Sequence, residues 1–167
     1  MAVYITLSVL ALLLIAAWRD LATRTIPDTV CVLIAALGIL LRALQGPWAL
    51  AVSAGAALLL FLVLLLLFAR GLIGGGDVKI MTALAITLPP LDSYRFVVAT
   101  VMAGGVLGIA YLLLSFRPRR PSGTKPTSLL GRVAVIESRR IGRRGPLPYG
   151  VAIAAGGVFV LLSPGNF

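Results

Sequence analysis

The chain has 167 residues and a mass of 17.5 kDa, of which 60% are hydrophobic and 12% charged, with a net charge of +10 and a mean hydropathy of +1.07. Soluble domains run at about 45–50% apolar and about 25% charged, so this composition excludes an ordinary soluble domain and a disordered chain. A single cysteine, Cys31, excludes an internal disulfide or a cysteine-held zinc, and the lack of histidine excludes His-based triads and His-ligated metal or haem.

What is left is a small integral membrane protein forming a single domain over residues 1–167, all-α, with one transmembrane bundle. Apolar stretches run over residues 1–18, 29–44, 47–69, 78–91, 94–116 and 147–164. A spanning helix needs about 20 apolar residues, with a range of about 17–25; the fourth stretch is the shortest, and six helices are predicted. A cleaved signal peptide carries its basic residues before the apolar run. Here the first basic residue, Arg19, follows it, so the segment reads as a retained helix. Arg42 closes the second stretch, where its long stem is expected to snorkel to the interface.

Six spans place the loops after helices 1, 3 and 5 on one side. Those loops hold Arg19, Arg24, Arg70, Lys79 and nine residues between Arg117 and Arg144, thirteen of the fifteen basic residues. Arg42 and Arg95 alone lie opposite. Basic loops stay in the cytoplasm, which predicts a cytoplasmic membrane protein with both termini outside. The charge sits mostly in one juxtamembrane loop, 117–146, so anionic lipid headgroups rather than nucleic acid are its expected partner. Pro and Gly make that loop irregular, with residues 129–136 open to a short interfacial helix or a strand.

The acids are Asp20, Asp28, Asp77, Asp92 and Glu137. Ionisable groups at a membrane span are costly and point to function. Asp20 falls just past the end of helix 1 and Asp77 at the start of helix 4, at the same membrane face although 57 residues separate them. Two carboxylates sharing a site can act as acid and base on one water. Gly74, Gly75 and Gly76 precede Asp77; a glycine run permits positive φ and close approach of another chain, as an extended peptide would need. The same residues also fit a flexible turn with Asp77 as a helix cap. No strand precedes and no Gly-Lys-Ser/Thr follows, so phosphate binding fits poorly.

Gly74-Gly75-Gly76-Asp77 matches the GxGD signature of membrane aspartyl proteases. Asp20 followed six residues later by Ile26-Pro27 resembles the first-aspartate motif of the type IV prepilin peptidases, and Pro148-Tyr149-Gly150 resembles that family's last-helix motif. The three fall in the family's order. The short length is similar to the Tad/Flp-pilus branch, without the cysteine-bearing insertion associated with methylation. The resemblance implies a membrane aspartic endopeptidase that removes the short leader of a prepilin-like precursor at the cytoplasmic boundary, with Asp20 and Asp77 catalytic. It implies peptidase activity alone and no metal or organic cofactor, since water is the nucleophile. Asp28 stands where the family often has Asn.

Helix ends suggest how the roles divide. The amino end of helix 4 favours an ionised Asp77 and the carboxyl end of helix 1 a protonated Asp20, so Asp77 is expected to be the base and Asp20 the acid. Arg19, Arg24 and Lys79 flank the acids as boundary charges or as modulators of the site. Asp28 reads as the cap of helix 2, with a third catalytic carboxylate as the alternative, while Asp92 and Glu137 read as solvated loop residues. Pro148, Tyr149 and Gly150 either break the chain into helix 6, with Tyr149 at the interface, or shape the cleft. Gly104 and Gly108 form a GxxxG spacing suited to close packing within the chain or between copies, and Cys31 reads as a small buried residue. An ion- or proton-coupled transporter and a non-catalytic scaffold are the rival readings. A transporter would also place acids at helix ends but more usually shows acids at mid-membrane and inverted repeats with broken helices, and a scaffold leaves the two aspartates in these settings unexplained.

Overall fold

The computed structural model describes residues 1–115 and 147–163. Among them are six α-helices and no strand: α1 (Ala2–Thr23), α2 (Asp28–Leu44), α3 (Pro47–Ala69), α4 (Gly75–Thr87), α5 (Pro90–Ser115) and α6 (Tyr149–Leu161). The basic loop 117–146, with the 129–136 segment and Glu137, lies outside the described residues.

The helix boundaries follow local chemistry. Prolines that open helices sit at Pro47 and Pro90, where their missing N–H is no loss. Leu88 is extended, and Pro89 and Pro90 follow it, which stops α4 at Thr87. Gly46, in the left-handed φ range at 118°, makes the tight turn between α2 and α3.

The helices divide into two kinds. Three are long and apolar enough to cross a membrane: 3–23, 47–69 and 90–114. The spans in α3 and α5 bury only 17% and 11% of their hydrophobic windows, exposing Leu58, Leu62, Val101 and Val106 among others. Apolar surface this extensive needs lipid to cover it, and the chain is an integral membrane protein. By contrast, α4 and α6 have 13 residues each and are mostly buried. At 1.5 Å per residue each is about 20 Å long, against a hydrocarbon core of about 30 Å. The long helices and α2 wrap these two short ones. Pairings of α2 and α3 with α4, and of α1 and α5 with α6, make up most of the packing.

Small residues allow that wrapping. A Cβ on Gly38 of α2 would stand 3.0 Å from the Thr87 backbone nitrogen of α4. One on Gly156 of α6 would stand 2.8 Å from the Thr100 nitrogen of α5, and one on Gly157 would meet Leu84 and Leu13. The core they enclose includes Val9, Leu13, Ile34, Ile80, Leu84, Phe96 and Ile153. Gly104 meets Tyr149 and Gly108 meets Leu147, so the GxxxG face packs within the chain. Cys31 is buried, as expected.

Three expectations change here. Asp92 is not a solvated loop residue: α5 begins at Pro90, so Asp92 falls in its first turn, 7% exposed and paired with Arg95 at 3.0 Å. Arg42 does not snorkel outward but turns into the bundle, 8% exposed, donating from Nε to Ser53 Oγ at 2.8 Å and from its terminal nitrogen to Gln45. Asp28 is the first residue of α2 and not its cap, which is Pro27.

A Cβ at Gly156 would push on backbone, which a rotamer change cannot relieve. Gly156→Ala is therefore expected to lower unfolding stability in detergent micelles by about 1–3 kcal/mol. Gly55→Ala, with nothing within 4 Å of the new methyl, should stay within about 0.5 kcal/mol of the parent. Thermal unfolding of the two variants side by side checks this.

Candidate active site

Asp20 lies in the last turn of α1 rather than beyond it, because the helix continues to Thr23. It is 7% exposed. A carboxylate this buried needs donors, and one comes from α6. The Gly150 N–H donates to Asp20 Oδ2 at 2.8 Å. The first N–H groups of a helix have no partner within it. Pro148, fully buried, caps α6 and sets the chain so that the Gly150 N–H faces α1. A Cβ on Gly150 would stand 2.8 Å from Asp20 Cβ and 2.9 Å from Oδ2, so only glycine admits this approach.

Beyond Asp20 the chain turns at Arg24, in the left-handed region at φ 58°, whose N–H returns to the Asp20 carbonyl at 2.9 Å. Thr25, Ile26 and Pro27 then lead into α2. On the far side, α3 ends at Ala69, and Gly71 (φ 71°) turns the chain toward Gly74, the cap of α4. Positive φ was expected within the glycine run and is found at Gly71 instead; Gly75 and Gly76 are the first two helical residues. Asp77 is the third and does not cap the helix. Its own N–H bonds back to the Gly74 carbonyl at 3.1 Å.

These ends enclose a cavity of about 820 Å³ lined by Asp20, Arg24, Thr25, Ile26, Asp28, Gly71, Leu72, Ile73, Gly74, Gly76, Asp77, Lys79, Leu147 and Tyr149. Both aspartates therefore face one space. Lys79 lines it too, paired with Asp28 at 2.7 Å. Gly75 packs on Phe68 instead, and a Cβ at Gly76 would only touch Ile26 in ordinary contact. Tyr149 lines the cavity and rests against Gly104. Pro148 and Gly150 lie behind Asp20 rather than on the cavity surface.

Asp77 precedes the apolar run that starts at Val78, in the entrance turn of α4. Burial pushes its carboxyl up to about 6, the Asp20 charge adds to the rise, and a backbone hydrogen bond from Gly74 opposes it. This rise runs against the ionised Asp77 expected from the α4 dipole: desolvation outweighs the dipole there, and Asp20 faces the amino end of a different helix, α6. The Gly150 donor was missed because a backbone N–H leaves no mark in sequence, although the Pro-Tyr-Gly match pointed to the segment. Among the described residues no group of three or more metal-ligating side chains occurs.

The sequence model of the type IV leader peptidase family matches residues 7–111, which hold both aspartates and all of α2, α3 and α4. That span is well over half the chain. The chain belongs to the type IV leader peptidase family. Peptidase activity and prepilin substrates in the broad sense come with that membership. In this leader peptidase the matched region ends before α6, so the Gly150 contact with Asp20 joins a segment outside the match to one inside it. No curated protein and no solved structure matches the chain.

The Asp77 shift fixes the sign of a stability effect. The folded chain holds this proton more tightly than the unfolded chain. The Asp77 contribution to stability is therefore greatest below about pH 4 and is lost as pH rises through about 6. Asp77→Asn should unfold later than the parent at pH 8, by roughly 2 kcal/mol, with the gap closing as pH falls toward 4. Thermal unfolding across that range measures it.

Proposed function

We propose that the chain is an aspartic endopeptidase of the cytoplasmic membrane, spanning it six times with both termini outside, that cleaves the leader of Flp/Tad-type prepilins on the cytoplasmic side. The observation that carries the reading is the shared cavity. Asp20 and Asp77, from helices far apart in sequence, line one space large enough for a peptide segment.

In the reaction we propose, Asp20 is the base. The Gly150 N–H and the amino end of α6 complement negative charge on its carboxylate. Asp77 carries the proton, since its burial disfavours the charged form near neutral pH. Asp20 takes a proton from water as the water oxygen bonds to the scissile carbonyl carbon. Asp77 gives its proton to the carbonyl oxygen. Collapse of the tetrahedral diol breaks the C–N bond as one of its hydroxyl protons returns to Asp77 and the proton held on Asp20 goes to the departing amine. The pair shares its protons, so the macroscopic titrations belong to both.

Gly71 and Gly74 on the cavity wall leave room for an extended backbone, and Leu72, Ile73 and Leu147 offer it apolar contact. Family membership supports hydrolysis over the transport and scaffold readings.

Asp20→Asn and Asp77→Asn should each lower cleavage of a co-expressed prepilin by about 10²–10⁴-fold, the range of acid–base contributions. Mobility of the precursor on a gel reports it. Wild-type rates in either variant would overturn the dyad.

A further inference from the structure

The Asp28–Lys79 pair is not used by the dyad itself, yet both residues line the dyad's cavity. Lys79 Nζ donates to Asp28 Oδ1 at 2.7 Å, with the side chains 54% and 70% exposed. An ion pair this open adds little to stability, about 0–1 kcal/mol. It does decide where a full positive charge sits. Lys79 is two residues beyond Asp77 in the same helix, and Asp28 opens α2 just after the Thr25–Pro27 link from Asp20. Among the described residues, the charged and titratable groups lining the cavity are Asp20 from α1, Arg24 from the link after it, Asp28 from α2, Asp77 and Lys79 from α4, and Tyr149 from α6; the Cys31 thiol of α2 lies outside the lining but feels both members of the pair.

We propose that Asp28 is a positioning residue for the peptidase reaction: by binding Lys79 at the cavity rim it neutralises the ammonium that would otherwise bias the charge state of Asp77. The inference rests on the dyad reading above and adds a residue to it. With Asp28 in place the pair carries no net charge, and Asp77 answers mainly to burial and to Asp20. Without Asp28 an unbalanced positive charge faces the cavity and favours ionised Asp77, the wrong form for a proton donor. Without Lys79 an unbalanced carboxylate does the opposite.

The chain has only four aspartates, Asp20, Asp28, Asp77 and Asp92. A sample carrying ¹³C at the aspartate side-chain carboxyls thus gives four carboxyl signals in micelles, assigned by single Asp→Asn changes. The Asp77 midpoint is expected to fall by about half a pH unit in Asp28→Asn and to rise by a similar amount in Lys79→Gln at low salt. It should return to within about 0.2 of the parent in the double variant, and the single-variant shifts should shrink at high salt. Asp28→Glu should keep the parent midpoint. A midpoint unmoved in both single variants, or moved the same way in both, overturns the assignment; a merely structural role would change stability without these opposed shifts. Should Asp28→Asn fail to fold, Lys79→Gln and the double variant decide. The readout needs no cleavage, so a protein that cleaves prepilin with an unmoved midpoint sinks this inference alone. One that shows the shifts and cleaves nothing sinks the peptidase reading alone.

Discussion

A backbone hydrogen bond, from Gly150 to the carboxylate of Asp20, ties α6 to the site. It places a buried acid of α1 against the amino end of α6, where an unpartnered donor and the helix dipole both favour negative charge. A hydrogen bond to a charged group is worth about 1.5–3 kcal/mol, and leaving the acid without it would cost at least as much. Geometry this tight depends on α6 keeping its height and rotation. Those are set by Gly156 and Gly157 against Thr100, Leu84 and Leu13, about two turns along in the core. Packing in the apolar interior and the electrostatics of the cavity are therefore one problem rather than two.

The two short helices give the cavity its depth. Both α4 and α6 present their amino ends to it, and each is about 10 Å shorter than a hydrocarbon core. The cavity opens between those amino ends and the link after α1, while α3 and α5 keep an extensive apolar face exposed. Away from the cavity, several polar groups are tied up locally: Arg42 on Ser53, Asp92 with Arg95, and the Ser93 hydroxyl on the Ala85 carbonyl at 3.2 Å. Pairing of this kind is what buried charges require.

Much of this was legible in the residues. Apolar run lengths gave six helices, and the two aspartates at matching helix ends gave the cavity, because hydropathy and topology are nearly one-dimensional properties. Ile26-Pro27 and the glycines before Asp77 marked the links that bring the ends together. What escaped was three-dimensional. Asp92 looked solvated because Pro90 was not taken as the start of α5. Arg42 looked like a snorkelling residue because Ser53, its acceptor, lies on the next helix. Asp28 looked like a cap because the apolar run opens at residue 29, whereas α2 starts at Asp28 with Pro27 as its cap, and the partner of Asp28, Lys79, is 51 residues away in sequence. A helix dipole counted along the chain predicts an ionised Asp77, whereas burial raises that carboxyl and Asp20 meets the amino end of α6, 130 residues on.

The central claim is that Asp20 and Asp77 share one electrostatic environment. It is tested most directly by the Asp77 carboxyl titration in the parent and in Asp20→Asn. The account predicts that removing the Asp20 charge lowers the midpoint from about 6 while leaving the part due to burial, and that Asp92→Asn, on a different helix and outside the cavity, leaves it unchanged. An Asp77 midpoint indifferent to Asp20 would mean that the two carboxylates do not work on one water, and the account would be contradicted.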